Sequence, residues 1–356
     1  MNCLMNIEKN RIPNDIIKRY LTLYPFIGRN QEYIKSVEND YETLQMQTVQ
    51  HDAYFFALLF DLSVTDARFK SILIKDAKPK TKDESLLKNI KHAFMRMHRD
   101  TKDFTLIDRE IQDLLKFLYQ DIEPSSNLHF AKASKDAPKP SLLASGTKTK
   151  REALEKLVST YNKVKRNTDY EPGFIALNFY VDFLQLKPFK SHNDVIGLLI
   201  LYVLFLDAEY ATYHLTSFFE KLFKRREKFQ KLLSETAHNW SEGMSDTHAL
   251  HRFFLDVTIE SYKELAEMLR NYTFDQQHNK SDYIENTINK LEEVFTKEDI
   301  RHAHPTVSES TINRTLARLR DEKKIRPLGR GRSAKWMKLY QSPRKKTLQE
   351  QMNLKL

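Results

Sequence analysis

The feature that most constrains this chain of 356 residues is an uninterrupted apolar run at residues 195–206. The run carries no charge, and Asp194 and Asp207 stand directly on either side of it. As a helix with a rise of about 1.5 Å per residue, it is roughly 18 Å long, well short of the ~30 Å of hydrocarbon in a bilayer. A helix that is apolar on every face and too short to span a membrane belongs in a protein core. We therefore predict a buried central helix here.

The loop before this helix, residues 187–194, is polar and turn-like. It leads into a helix N-terminus, where unpaired N–H groups and the helix dipole favour anions. This geometry suits the binding of a phosphate or another anion.

The loop and the start of the helix, KPFKSHNDVIGL at residues 187–198, resemble the motif HPFxxGNGRxxR of the Fic (AMP-transferring) family. Pro188, Phe189 and Asn193 match this motif, and Gly197 fills a position that is often small in the family. The preceding sequence FLQLKPF resembles the family's F-x-x-I-H-P-F. The resemblance implies a mainly α fold, a helical Fic-like core with a small β-hairpin flap, and ATP and Mg²⁺ as cofactors of nucleotidyl transfer to a protein hydroxyl group.

The chain departs from the motif at the positions that perform the chemistry. These replacements are Lys187 for the general-base histidine, Ser191 for the acidic metal ligand, His192 and Asp194 for the two glycines, and Val195 and Leu198 for the two arginines.

Each replacement removes a property that the reaction needs. A lysine with a pKa near ~10.4 is protonated at neutral pH and cannot take a proton from a hydroxyl group. Non-glycine residues resist the positive φ angles that anion-binding loops often use, and a carboxylate repels phosphate. Losing both arginines removes bidentate anchors. We predict that the fold is kept and AMP transfer is lost, with residual ATP or Mg²⁺ binding at the degenerate motif (Lys187, Ser191, Asn193) left open.

Composition also favours a mainly α-helical protein. Seven glycines are few for this length, and the eleven prolines cluster in loops. Cys3 is the only cysteine, which excludes a disulfide framework and fits a reducing cytoplasm. No segment has spanning length, and residues 1–11 lack the apolar core of a signal peptide. We expect a cytoplasmic protein without membrane association.

The order of patterns predicts four parts. They are an N-terminal helical extension at residues 1–52, a Fic-like helical domain at 53–280, a winged helix-turn-helix at 281–341 and a basic tail at 342–356. Within the first two parts, apolar periodicity predicts helices at 12–23 and 30–44, split at 24–28, and one long basic helix at 213–233.

The resemblance adds two elements to this plan. A β-hairpin flap would occupy residues 127–150, where Pro138, Pro140 and Gly146 mark a loop. Residues 66–71 are the local counterpart of the family's inhibitory helix, with Lys70 in place of its glutamate.

Two further groups of residues each have two interpretations. His248 and His251 have helical metal-ligand spacing, with His238 nearby, but no acidic third ligand stands at a matching distance. We therefore favour a structural role over a metal site. The basic run at 221–231 is an exposed helix face or an extension of a nucleic-acid-binding surface.

The second informative stretch is residues 283–340. Periodicity predicts helices at 284–294 and 296–302, and Ser308 can cap a third helix. Two strand-like segments, 325–328 and 336–339, follow and are joined by the glycine-rich, basic sequence GRGRSAK. Helices followed by such a hairpin are typical of a winged helix-turn-helix. The amino-acid sequence of residues 283–340 resembles that of the winged helices often fused to the C-terminus of Fic proteins.

The positive charge of the chain is concentrated in this stretch. Residues 301–346 hold fourteen Lys and Arg against three Asp and Glu, a net charge of +11, compared with +10 for the whole chain. Lysine, arginine and small polar side chains contact base edges and phosphates in complexes with DNA. The candidate DNA-binding residues are Ser310, Thr311, Asn313, Arg314, Arg318, Arg330, Arg332 and Lys335.

Three functions remain open from the sequence. The favoured one is a DNA-binding transcriptional regulator, whose Fic-like domain senses a ligand or forms a homodimer. The second is a divergent transferase in which Lys187 and Asn193 still handle a phosphorylated substrate. The third is a protein-interaction scaffold with an unidentified protein partner.

Overall fold

The structure is a computed structural model. It describes residues 4, 7, 12–99, 105–132, 149–167, 169–238, 240, 242–243, 245–277, 280–304, 307–329 and 334–339. Within these residues the helices are α1 (Asn14–Ile27), α2 (Asn30–Ser36), α3 (Tyr41–Leu59), α4 (Asp66–Lys75), α5 (Lys82–Arg99), α6 (Asp108–Tyr119), α7 (Lys150–Lys165), α8 (Pro172–Leu186), α9 (Asn193–Asp207), α10 (Phe218–Lys224), α11 (Arg226–Ala237), α12 (His248–Gln277), α13 (Lys280–Lys290), α14 (Lys297–Ala303) and α15 (Glu309–Asp321). The strands are β1 (Val294–Phe295), β2 (Ile325–Pro327) and β3 (Trp336–Lys338).

The prediction of a mainly α fold is confirmed. The chain divides into two compact units, Met1–Glu267 and Met268–Leu356, called the first and the second unit below. No helix that the structure describes combines the length and the apolar character needed to cross a bilayer.

The core of the first unit contains the predicted central helix. Every residue of α9 from Val195 to Leu206 is buried, and α8, which packs against α9, is almost as apolar. The prediction of a buried helix at 195–206 is therefore confirmed. Gly197 explains how closely the two helices approach, because a Cβ atom placed there would lie 2.9 Å from Leu184 Cδ2 and 3.1 Å from Phe183 Cδ1.

Three helix boundaries differ from the sequence prediction. The helix predicted to end at Leu23 continues to Ile27, since Pro25 lies in the last turn, where Gly28 N–H still bonds to the Tyr24 carbonyl. The helix predicted at 30–44 is broken between α2 and α3. The long basic helix predicted at 213–233 begins only at Phe218, where Ser217 caps α10 by accepting a hydrogen bond from Glu220 N–H, and it is interrupted at Arg225 between α10 and α11.

A buried polar cluster fixes α1 and α12 to the start of α8. Glu171 accepts hydrogen bonds from the Tyr20 hydroxyl at 2.7 Å and the Tyr210 hydroxyl at 2.8 Å. Tyr20 gives its only proton to Glu171, so the short contact between its oxygen and His251 requires a proton on His251 Nε2. His251 Nδ1 is then a buried acceptor without a partner among the described residues.

This arrangement makes His251 a source of acid sensitivity. Burial lowers the pKa of His251 to about 3, with a further contribution from the nearby positive charges of His248 and Arg252. The folded state binds a second imidazole proton on His251 less tightly than the unfolded state does. The neutral His251 therefore contributes its full share to the free energy of unfolding above about pH 6.5, and this share is lost as the pH falls towards 3. We predict that His251→Gln reduces the loss of unfolding free energy between pH 7 and pH 4 by on the order of 2 kcal/mol. Urea titrations at both pH values measure this difference, and an equal loss in both proteins would contradict it. The exposed His238→Gln is the matched control.

The second unit has its own small core. The chain runs α13, β1, α14, α15, β2, β3, and the strands form an antiparallel sheet in the order β1-β3-β2. Apolar side chains from all six elements pack together: Ile284, Ile288, Phe295, Ile300, Ile312, Leu316, Leu319, Ile325 and Trp336. The helix predicted to reach Val294 ends instead at Lys290, because Val294 and Phe295 pair with β3.

Both helices in the middle of this unit have strong N-terminal caps. Thr296 and Asp299 form a capping box at α14, and the Ser308 hydroxyl accepts a hydrogen bond from Thr311 N–H at α15. His304, at the end of α14, is buried and contacts the Thr287 hydroxyl of α13. The unit therefore holds α15 in a fixed position relative to its sheet.

The packing at Gly197 yields a prediction about stability. Gly197→Ala forces a methyl group into Leu184 and Phe183, so we expect a loss of about 1–3 kcal/mol in the free energy of unfolding. Gly28→Ala is the matched control, because its added Cβ would meet nothing closer than 3.5 Å. Chemical denaturation of both variants tests this, and equal stability of the two would contradict the proposed role of Gly197.

Candidate functional site

The loop between α8 and α9 keeps a sharp backbone turn at both of its ends. Lys187 ends α8 with φ 46°, and His192 precedes α9 with φ 60°. His192 thus adopts the positive φ that a non-glycine residue resists, and it does so at a cost in backbone strain. The His192 ring stacks on Tyr119 with centroids 3.7 Å apart, and its Nε2 atom lies 2.8 Å from Glu123 Oε1. These two contacts offset the backbone strain.

Asn193, the polar residue that matches the family motif, is engaged by the loop itself. Its Oδ1 atom accepts a hydrogen bond from Phe189 N–H at 2.9 Å, and its Nδ2 atom donates to the Phe189 carbonyl at 2.8 Å. The Asn193 amide thus closes the loop across four residues.

The other two candidate anion ligands lie in different environments. Ser191 Oγ is enclosed and has no hydrogen-bond partner among the described residues. Lys187 is exposed. The pKa of Lys150 is lowered by the partial burial of Lys150 and by the positive charge of Lys187 nearby. Lys150 donates a hydrogen bond to the Leu186 carbonyl at the end of α8.

The first turn of α9 carries the remaining replacements. Asp194 is exposed there, where a carboxylate complements the helix dipole. Val195 and Leu198 stand where the family motif has arginines, and they are 7% and 1% exposed. Both side chains therefore belong to the core, and this turn presents a carboxylate instead of cationic anchors.

A short segment upstream pairs with the loop. Phe130 and Phe189 form an isolated antiparallel bridge, in which Ala131 N–H donates to the Pro188 carbonyl at 2.8 Å. The two phenylalanine rings stack with centroids 5.0 Å apart. Most of the predicted β-hairpin flap, residues 133–148, including Pro138, Pro140 and Gly146, lies outside the described residues.

The helix predicted to correspond to the inhibitory helix is α4. Its residues pack against α3 and α5, and Arg68 forms a salt bridge with Glu84 at 2.7 Å. Lys70 lies on this helix. Helix α4 is therefore part of the packed first unit, and its counterpart role to the inhibitory helix stays a prediction.

The remaining candidates of the first unit have structural partners. His248 Nδ1 lies 2.8 Å from Asp246 Oδ1, and among the residues that the structure covers no group of three metal-binding side chains occurs. Five of the six cations at 221–231 face a carboxylate: Lys221–Glu264, Lys224–Glu220, Arg225–Glu260, Arg226–Asp61 and Lys231–Glu235. The sixth, Lys228, lies over the Phe253 ring.

In the second unit, α15 carries most of the candidate DNA-binding residues. Ser310, Asn313 and Arg314 are exposed, and the half-buried Thr311 has its hydroxyl 2.9 Å from the Ser308 hydroxyl. Lys335 is exposed just before β3. The structure thus brings Ser310, Asn313 and Arg314 to one side of a single helix, while Arg330 and Arg332 lie outside the described residues.

Arg318 differs from the other candidates on α15. Its guanidinium group forms salt bridges with Glu285 of α13 at 2.7 Å and with Glu322 at 2.8 Å. Lys324 bridges the same two carboxylates, and these cations lower the pKa of Glu285. Arg318 therefore fastens α15 to α13. Sequence reasoning missed Glu285, because nothing in the local pattern links it to a residue 33 positions away.

Comparison with known proteins defines the fold class. No family model matches the sequence, and no curated protein matches it. Among solved structures, the chain is similar to a Fic family protein from Desulfovibrio desulfuricans G20, with a TM-score of 0.51 and 13% identity, over 94% of this chain and 99% of that one. It is also similar to a Fic domain containing signaling protein from Bacteroides thetaiotaomicron VPI-5482, with a TM-score of 0.50 and 13% identity, over 70% of this chain and 97% of that one. The chain therefore has the Fic fold.

The loop geometry predicts a stability effect at Asn193. Asn193→Ala leaves the Phe189 N–H and carbonyl without their partners, so we expect a loss of about 1–3 kcal/mol in the free energy of unfolding. Ser191→Ala removes a hydroxyl that has no partner among the described residues and should change stability by less than about 0.5 kcal/mol. Denaturant titration of both variants provides the measurement. A similar effect of the two substitutions would show that the Asn193 amide does not hold the loop.

Proposed function

We propose that this protein is a DNA-binding regulator that contacts DNA through α15 of its second unit and has lost AMP transfer in its Fic-like core. The observation that carries the proposal is the exposed polar side of α15, with Ser310, Asn313 and Arg314, on a unit that is fixed by its own apolar core.

The order of elements supports this assignment. A helix, a strand, two helices and a two-stranded hairpin, with sheet order β1-β3-β2, is an arrangement typical of winged helix-turn-helix modules. In such modules the second helix of the pair enters the major groove with its N-terminal residues against the base edges. Here that helix is α15, and Ser310, Asn313 and Arg314 lie in its first two turns.

The chemistry of these side chains fits duplex DNA. An asparagine side chain can form two hydrogen bonds with adenine, and an arginine can form two with guanine. Hydroxyl groups at a helix N-terminus bind phosphate oxygens, which sets the register on the duplex. Arg314 has no carboxylate partner among the described residues, so its charge is available to a polyanion.

The segment between β2 and β3 would act as the wing. Arg326 and Lys335 are exposed at its two ends, and its sequence contains Arg330 and Arg332. Cations on a wing can enter the minor groove or bind the backbone. Lys338, by contrast, donates to the Asn289 carbonyl at 3.0 Å and supports the fold.

The loop before α9 supports the absence of AMP transfer. Asn193 is committed to Phe189, Asp194 places a carboxylate at the helix N-terminus, and Leu198 is buried. A triphosphate would meet the Asp194 carboxylate where the family motif has a glycine, and neither Val195 nor Leu198 could anchor it as the motif's arginines would.

A binding experiment tests the DNA proposal. Fluorescence anisotropy with a labelled duplex of about 30 base pairs should show affinity that falls steeply as salt rises from ~50 to ~200 mM. Asn313→Ala combined with Arg314→Ala should weaken binding by about 10- to 100-fold, which corresponds to about 1–3 kcal/mol.

The matched control is Arg226→Ala, which removes the same charge from α11, where Arg226 pairs with Asp61. This variant should bind DNA like the unchanged protein. Absence of DNA binding, or equal affinity of the α15 variant and the control, would overturn the proposal.

A second experiment tests the loss of transfer. We expect isothermal titration calorimetry with Mg²⁺ and ATP up to ~1 mM to show no saturable binding, and radiolabelled ATP to leave no label on protein. Saturable ATP binding that Lys187→Ala abolishes would favour the divergent transferase.

A further inference from the structure

Helix α1 has two apolar stripes, and the first unit uses only one of them. Ile16, Tyr20 and Leu23 are buried against the rest of the unit. On the other side, Ile17 is 44% exposed, Leu21 69% and Tyr24 48%.

The exposed stripe has the spacing of a helix–helix contact. Ile17, Leu21 and Tyr24 follow one another at intervals of four and three residues, which is the alternation of a and d positions in a coiled coil. Continuing the same register places Asn14 before them and Gly28 after them.

The helix that carries the stripe is firmly attached. Arg19 forms salt bridges with Asp15 at 3.1 Å and with Asp256 at 2.8 Å, and Arg252 of α12 pairs with Asp15 at 2.5 Å. Tyr20 adds its buried hydrogen bond to Glu171. The apolar side chains are thus presented on a fixed helix.

We propose that the occupant of this stripe is a second copy of the same chain, which packs α1 against α1 around a two-fold axis next to Leu21. A two-fold interface uses the same patch on both copies, so the patch must complement itself. With the helices antiparallel, Ile17 of one copy meets Tyr24 of the other, which sets a smaller side chain against a larger one.

Charge also favours the antiparallel arrangement. Lys18 is exposed beside the stripe and has no carboxylate partner among the described residues. Parallel packing would bring the two Lys18 side chains to the same height, whereas antiparallel packing separates them and aligns the helix dipoles favourably.

The apolar area of the stripe corresponds to a dimer interface at the small end of the usual range. At the observed exposures, the three side chains form an apolar patch on the order of 300 Å², the size of the largest patch on a typical monomer, and such patches are often functional. Two such patches supply about 600 Å², roughly the apolar share of an interface of about 1,000 Å².

The first test measures the mass of the full-length protein without DNA, so its outcome is independent of the DNA proposal. Sedimentation equilibrium should give twice the chain mass of 42.2 kDa. Leu21→Glu should raise the dissociation constant of the dimer at least tenfold, because it buries two like charges at the axis. Ile74→Glu is the matched control, since Ile74 is 58% exposed on α4, away from the stripe, and should leave the dimer intact.

A cross-linking test examines the geometry. In a Cys3→Ser background, which removes the only native cysteine, Leu21→Cys should form a disulfide-linked dimer on mild oxidation. Asn14→Cys, far from the axis in the antiparallel arrangement, should not. A dimer that crosslinks at both positions would overturn the antiparallel arrangement.

Three results would overturn the dimer at this stripe. They are a monomer at ~100 μM, a dimer that Leu21→Glu does not weaken, and a monomer that instead uses the stripe to bind a different protein or a lipid vesicle. If Leu21→Glu fails to fold, Leu21→Ser, with a smaller expected effect, replaces it.

Discussion

The packing of α9 against α8 is the constraint on which the rest of the first unit depends. Gly197 lets the helices approach so closely that a single added carbon would overlap Leu184. Once both helices are fixed, the loop at 187–192 has to reverse the chain within a few residues. The left-handed conformations at Lys187 and His192 follow from this requirement. We therefore attribute the backbone conformation of the loop to the packing of α8 against α9.

This dependence explains how the loop keeps its shape without the residues of an AMP-transfer site. His192 replaces a glycine, and its ring contacts Tyr119 and Glu123. Val195 and Leu198 replace arginines, and burying one such apolar side chain contributes about 1.5–3 kcal/mol. The side chains at these two positions thus add to folding stability.

The sequence predicted those elements that depend on neighbouring residues and missed those that depend on residues far away in the chain. The buried helix α9 was predictable because a charge-free run that is too short to span a bilayer is stable only in a protein core. Strand β1 was missed because two residues carry no detectable alternation and acquire their conformation from pairing with β3. The His192 side chain is held by Tyr119 and Glu123, and the position of Arg318 depends on Glu285. Such partners lie far away in sequence, and spacing cannot reveal them.

The distribution of paired charge decides where a polyanion can bind. A cation that already contacts a carboxylate gains little from a phosphate, because the approach of DNA also repels its partner. By this criterion the basic run at 221–231 is largely neutralised, as are Arg318 and Lys324. In the described part of the second unit, the exposed cations without a carboxylate partner include Arg314, Lys323, Arg326 and Lys335. The net charge of +11 over residues 301–346 already includes Glu309, Asp321 and Glu322 but not Glu285, so the pairs of Arg318 and Lys324 with Glu285 make the effective charge of this surface smaller.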